Sequence, residues 1–107
     1  MTAAPTGAMT TMSRMVIGAL RLKLAVFGAT SLKDKRRAVK SLKDRLTGRF
    51  NVSVAEVGSL DHRQQAEVAV VVVGNDQRFV ESCLDTIVDY VRQDPVASLV
   101  DYESELF

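Results

Sequence analysis

The stretch SLKDKRRAVKSLKDRL, residues 31–46, carries seven cations in sixteen residues. Cations packed this densely can neutralise phosphates and release the counterions that phosphates hold, or can simply form a solvated amphipathic face that keeps a protein soluble. The chain as a whole has a formal charge of only +1, but that total hides a division. Residues 31–50 sum to +6 and residues 75–107 to −6. Such a split points either to a polyanion-facing side or to charge-complementary self-association. Other chemistry is thin. His62 stands beside Asp61 with no Ser or Cys partner at a recognisable spacing, and Cys83 falls among apolar helix positions, as a small core residue would. Glu81, Asp85 and Asp89 spread along one helical face instead of converging. There is no metal-ligand cluster, P-loop or dinucleotide fingerprint. We therefore expect no catalytic residues, no metal and no cofactor, and expect a protein that is not an enzyme.

The cations need a scaffold, and the hydrophobic pattern supplies one. Residues 16–27, VIGALRLKLAVF, alternate as a strand, with Val16, Gly18, Leu20, Leu22, Leu24 and Val26 on one face. Ser31 suits a helix N-cap, with Asp34 as the partner of a weak capping box. The helix is expected to run to about Thr47, with Gly48 at the C′ position. At about 100° per residue, Leu32, Val39, Leu42 and Leu46 form its apolar stripe. Lys33, Arg36, Arg37, Lys40 and Lys43 gather on the other side. Like charges at such spacings repel by about 0.2–0.5 kcal/mol per pair, and Lys33 sits in the first turn, where the helix dipole disfavours a cation. A helix that tolerates this strain can recover it by meeting phosphates. Lys35 falls inside the apolar stripe, where the expected behaviour is snorkelling, with its stem packed and its ammonium at the edge.

Residues 51–57 and 66–74 read as two further strands separated by the loop GSLDHRQQ. A second helix follows, capped by Asn75 or Asp76 and stopped by Pro95. Its buried face is expected to hold Phe79, Val80, Cys83, Leu84, Ile87, Tyr90 and Val91. Residues 98–107 close the chain as a fourth strand. The order βαββαβ, with right-handed crossovers, gives an α+β ferredoxin-like sandwich: a four-stranded antiparallel sheet with two helices on one face. The run VVVV in the third strand is apolar on both faces although the helices cover only one. A homodimer through the open sheet face, over Val71 and Val73 beside Ala69, Ala25 and Phe27, would cover the remainder.

The chain length suits one domain, spanning residues 15–107, with residues 1–14 expected to be a disordered tail or start-site extension. A single cysteine allows no internal disulfide and suits a reducing compartment. No apolar run approaches a membrane span and the N-terminus lacks a secretory h-region, so we expect a cytoplasmic protein without membrane partners.

MVIGAL, GATSLKDKRRAVKSLKDRL, FNVSVAEV and the pair Asn75-Asp76 together resemble the YlxP-like family, across about residues 15–107. The resemblance implies a small bacterial protein of ferredoxin-like fold with no known catalytic residues. Family genes often lie among those for translation and ribosome maturation, which implies RNA or ribosome association. Where the family commonly has an Asp-x-Trp-Gln loop, this chain reads Asp61-His62-Arg63-Gln64, so Arg63 stands in the aromatic position. The expected function is then docking on structured RNA or a ribosomal particle through Lys33, Arg36, Arg37, Lys40, Lys43 and Arg49. The alternative is a self-associating protein-interaction or small-ligand regulatory module. The third strand lacks the aromatics that an RNA-recognition motif uses for stacking, so RNA would be met through backbone charge and shape.

Overall fold

The computed structural model describes residues 15–107; the expected tail of residues 1–14 lies outside the described residues. Alternation makes β1 (Val16–Ala25) and β3 (Gln65–Gly74) the two central strands. They pair antiparallel in unbroken register, from Val16 opposite Gly74 to Ala25 opposite Gln65. β2 (Ser53–Gly58) and β4 (Ser98–Leu106) are the edges, giving the order β2-β3-β1-β4 with every pair antiparallel. With α1 (Leu32–Arg49) and α2 (Gln77–Arg92), the order is βαββαβ, a ferredoxin-like α+β fold. The helices divide the sheet between them: α1 lies over β2 and β3, and α2 over β1, β3 and β4.

One sheet face builds the core. Leu20, Leu22 and Leu24 of β1 and Val68, Val70 and Val72 of β3 are buried against Val39, Leu42 and Leu46 of α1 and Val80, Ile87 and Val91 of α2. α2 comes so close to the sheet that two glycines lie beneath it. A Cβ on Gly18 would stand 2.5 Å from Val80 Cγ1, and one on Gly74 would stand 2.9 Å from Val80 Cγ2. Gly18 is therefore a packing position, where any side chain would push α2 away.

Three local expectations change. α1 runs through Gly48 to Arg49, and the chain leaves it in extended conformation at Phe50, whose N–H still bonds to the Leu46 carbonyl. Gly48 has no left-handed backbone to provide, because the exit is set by Phe50 packing edge-on to Tyr90 of α2, with ring centroids 5.9 Å apart. In α2, Phe79 is exposed and Val88 takes a core place instead. Phe79, Cys83 and Tyr90 lie along the flank of α2 at the edge of the buried stripe, and the latter two are only partly covered. β1 ends at Ala25; beyond it the Val26 N–H bonds to the Gln64 carbonyl as the chain turns toward α1.

Candidate nucleic-acid interface

The first turn of α1 is fixed by its own side chains. Ser31 Oγ accepts from the Asp34 N–H at 3.1 Å. Asp34 Oδ2 in turn accepts from the N–H and hydroxyl of Thr30, at 3.1 and 2.7 Å. These bonds from Thr30, followed by the nearby Arg37 guanidinium, hold the Asp34 carboxyl below the usual carboxylate range. An acid in the first turn also complements the helix dipole that Lys33 opposes.

Four residues of α1 point into the core: Lys35, Val39, Leu42 and Leu46. About this axis, Lys33, Arg36, Arg37, Lys40 and Lys43 occupy a solvent-facing arc of about 120°, and all five are exposed. Lys40 pairs with Asp44 one turn on, at 2.7 Å, and both groups are well exposed, so the pair holds little. Lys33, Arg36, Arg37 and Lys43 make no ion pair among the described residues. Arg49 lies apart. It belongs to the opposite flank, where its guanidinium carbon sits 5.1 Å over the Tyr90 ring. Arg45 shares that flank and bonds to Asp94 Oδ2 at 2.6 Å. Two of the helix cations are thus engaged in tying α1 to the end of α2, and five form a separate surface facing away from α2.

Lys35 does not snorkel. Its side chain is wholly inaccessible, and Nζ donates to Glu56 Oε2 at 2.7 Å, the Ser59 carbonyl at 2.9 Å and the Leu60 carbonyl at 3.3 Å. Three acceptors satisfy the three ammonium donors, which explains why a lysine can occupy an apolar stripe. The acceptors come from β2 and the following loop. Ser59 adopts φ 57°, a left-handed conformation uncommon outside glycine, and this turn brings two successive carbonyls onto one ammonium. The pattern of the helix alone could mark Lys35 as anomalous, but its partners lie more than twenty residues away.

The loop that Lys35 holds reaches over the end of the sheet. The Arg63 guanidinium approaches the Thr30 carbonyl at 3.4 Å. Gln64 Nε2 donates to the carbonyls of Phe27 and Ala29, both at 3.1 Å. His62 Nδ1 accepts from the Gln64 N–H at 3.1 Å, leaving Nε2 free as a donor. Asp61, His62 and Lys35 do not share a pocket: Lys35 is sealed beneath the loop, whereas Asp61 and His62 lie on its outer side. Cys83 is half-buried against Phe50 and Phe79, between the helices. Among the described residues no group of three or more His, Cys, Asp or Glu side chains could hold a metal ion, and no helix is long and apolar enough to cross a membrane.

The open face of the sheet is more divided than its sequence suggests. Val71 and Val73 are exposed, at 40% and 57%, beside Ile17 and Ala19 of β1 and the terminal Phe107, which pairs with Ile17. Further along, Arg21 and Lys23 face Glu67, Asp101 and Glu103 from the neighbouring strands, and Arg21 bonds to Glu67 at 3.1 Å. This charged belt separates the valine end from the end bearing Phe27 and Val100.

Fold and surface together define a ferredoxin-like α+β domain whose first helix presents a one-sided basic arc. The chain belongs to the family described as "Protein of unknown function (DUF503)", which matches residues 17–104. It is similar to the "Uncharacterized protein YlxP" of Bacillus subtilis (strain 168), at 28% identity over 80 residues, covering 75% of this chain and 87% of that protein. The YlxP-like resemblance is therefore upheld, and no enzymatic family is indicated.

Proposed function

We propose that this is a non-enzymatic binding protein that docks on structured RNA, in a ribosome or ribosome-maturation context, through the solvent-facing side of α1. The observation that carries the reading is the arc of Lys33, Arg36, Arg37, Lys40 and Lys43. These cations are exposed, and among the described residues only Lys40 makes an ion pair, while Arg37 lies near Asp34. Three other cations of α1 are engaged elsewhere: Lys35 in the interior, and the exposed Arg45 and Arg49 against Asp94 and Tyr90. The arc is thus a surface with no structural employment, on a rigid helix, where phosphates can be met without rearrangement. It lies on the side of α1 away from α2, so the acids of α2 do not screen it. The test is binding of a labelled ribosomal RNA fragment at several salt concentrations, with Arg36, Arg37 and Lys40 each changed to Glu. Each lost phosphate contact should reduce the log–log salt slope by about 0.7–0.9. Wild-type protein with no RNA binding at low salt, or a triple variant that binds with the same slope, refutes the reading.

A second reading rests on the valine end of the open face. Ile17, Ala19, Val71, Val73 and Phe107 form a compact apolar area that the helices leave uncovered. A homodimer joined there accounts for it, with the charged belt at the margin of the contact. Sedimentation showing a monomer at every concentration, with Val73→Asp unchanged from wild type, refutes this second reading.

A further inference from the structure

Where the charged belt ends, the open sheet face dips into a groove of about 370 Å³. Its floor is the paired ends of β1 and β3, with Lys23 opposite Glu67 and Ala25 opposite Gln65. Phe27 and Val100 border it together with His62 of the loop. Phe27 is the unusual member. Its backbone is held on both sides, by the Val26 N–H bond to Gln64 and by Gln64 Nε2 on the Phe27 and Ala29 carbonyls. Phe27 is nonetheless 72% exposed, and Val100 is 66% exposed. A phenyl ring fixed in water by a rigid backbone gains nothing for folding and costs apolar hydration.

Resting on the RNA-docking reading above, we propose that this groove receives one unpaired nucleobase of the RNA held by α1, stacked on Phe27. The volume admits a base. Its lining includes residues whose side chains can bond a base edge: Gln65, His62, whose Nδ1 is already taken by the Gln64 N–H, and Glu67, of which Arg21 engages one oxygen. Lys23 also lines the groove, within the reach of its side chain to an attached phosphate. One loop separates the groove from the start of α1. One wall is the loop that Lys35 and Arg63 tie to the start of α1, where Lys33 and Arg37 sit. A strand leaving the helix surface crosses that loop to reach the groove. Charge on α1 then supplies affinity and the groove supplies selection for unpaired RNA over continuous duplex.

The test uses the full chain and two labelled RNAs, a stem closed by a single-stranded loop and a blunt duplex of the same stem. Phe27→Ala should weaken hairpin binding by about 5- to 150-fold, the loss expected for one base–aromatic stack. It should leave duplex binding and the salt slope unchanged, and Phe27→Tyr should restore hairpin binding. The Arg36, Arg37 and Lys40 reversals should weaken both RNAs and flatten both slopes. Hairpin affinity unchanged in Phe27→Ala, with the reversals still effective, overturns the groove and leaves α1 docking standing. Equal weakening of hairpin and duplex by Phe27→Ala also overturns it, as does saturation of the groove by a free mononucleotide that does not compete with RNA. Absence of binding by wild type to either RNA overturns the docking reading itself.

Discussion

Removing the Lys35 ammonium tests a single buried charge that holds three acceptors. In Lys35→Met the stem keeps its packing in the apolar stripe, and only the ammonium is lost. Three acceptors are then stranded: the Glu56 carboxylate and the carbonyls of Ser59 and Leu60. Breaking a buried pair by removing one member costs about 3–5 kcal/mol when the remaining charge stays buried. Glu56 retains 18% of its side-chain surface in water, and the loop beyond it is itself exposed, so part of the loss can be recovered by hydration. The expected cost is therefore near the low end, about 3 kcal/mol, and at about 4–8 °C per kcal/mol the midpoint should fall by about 12–24 °C. Urea denaturation of Lys35→Met, Glu56→Gln and the double variant forms a cycle. Coupling of about 1–3 kcal/mol between the two sites is expected, because in the double variant no charge is left buried. Amide exchange in residues 59–64 should accelerate more than in the core strands. A Lys35→Met protein within 1 kcal/mol of wild type, or purely additive effects, would refute the reasoning and mean that the loop is held by its other bonds.

Gly18→Ala places a methyl where only 2.5 Å separates it from Val80 Cγ1, so it should destabilise by about 1–3 kcal/mol, with partial rescue by Val80→Ala in the same denaturation assay. Ser59→Gly should stabilise by up to about 1 kcal/mol, since φ 57° strains serine and not glycine; a loss of stability would show that the serine side chain contributes something its backbone does not reveal. Burial of Asp94 opposes its ionisation but is outweighed by the Ala97 N–H, Arg45 and the Val96 N–H, so its folded pKa lies below the ordinary 3.8. A depressed carboxylate contributes stability that is present above the unfolded value and lost as pH falls through the folded one. Asp94→Asn should thus be less stable than wild type at neutral pH by about 1–2 kcal/mol, and that gap should narrow in unfolding experiments below pH 3.8.

The elements that periodicity governs could be read from the chain. β1 alternates strictly and α1 carries its leucines at helical spacing, so neither depends on a distant residue for its identity. The placements that went astray are those that tertiary contacts decide. Gly48 resembles a helix stop, yet the helix ends where Phe50 finds Tyr90. Phe79 is apolar enough for a core, but Val80 already fills the space over Gly18 and Gly74, leaving the larger ring outside. Lys35 was conspicuous at its position, but nothing local could reveal that β2 and its loop would bring it a carboxylate and two carbonyls. The basic arc was visible in sequence because a helix wheel is sufficient to draw it. By charge alone Arg49 belongs with it, and only the packing of α1 on α2 places it over Tyr90. The groove at Phe27 was hidden, since it is assembled from three separate segments.

The charge division of the chain becomes spatial once the helices are placed. α1 covers the β2 side of the sheet and α2 the β4 side, so the +6 and −6 segments are carried on opposite flanks of one small domain. On the acidic flank, Glu81 and Asp85 of α2 border the same surface as Glu105 of β4, and Asp101 and Glu103 continue along that edge strand. An edge strand with free backbone groups invites pairing with another chain, and a row of like charges is one way to prevent it. Two copies approaching through β4 would oppose acid to acid, which disfavours a continuous sheet across a dimer and leaves the open face as the apolar surface available for self-association. The same acids repel a polyanion. On the RNA-docking proposal, a phosphate backbone is then expected to approach from the α1 side. The two proposed contacts consequently centre on different surfaces: RNA along α1 and around its first turn to the Phe27 groove, which Lys23 and Glu67 of the charged belt line, and a second copy over Val71 and Val73 beyond Arg21. Val73→Asp should therefore abolish self-association without changing the salt slope of RNA binding, and loss of both together would show that the RNA surface is built only in the dimer.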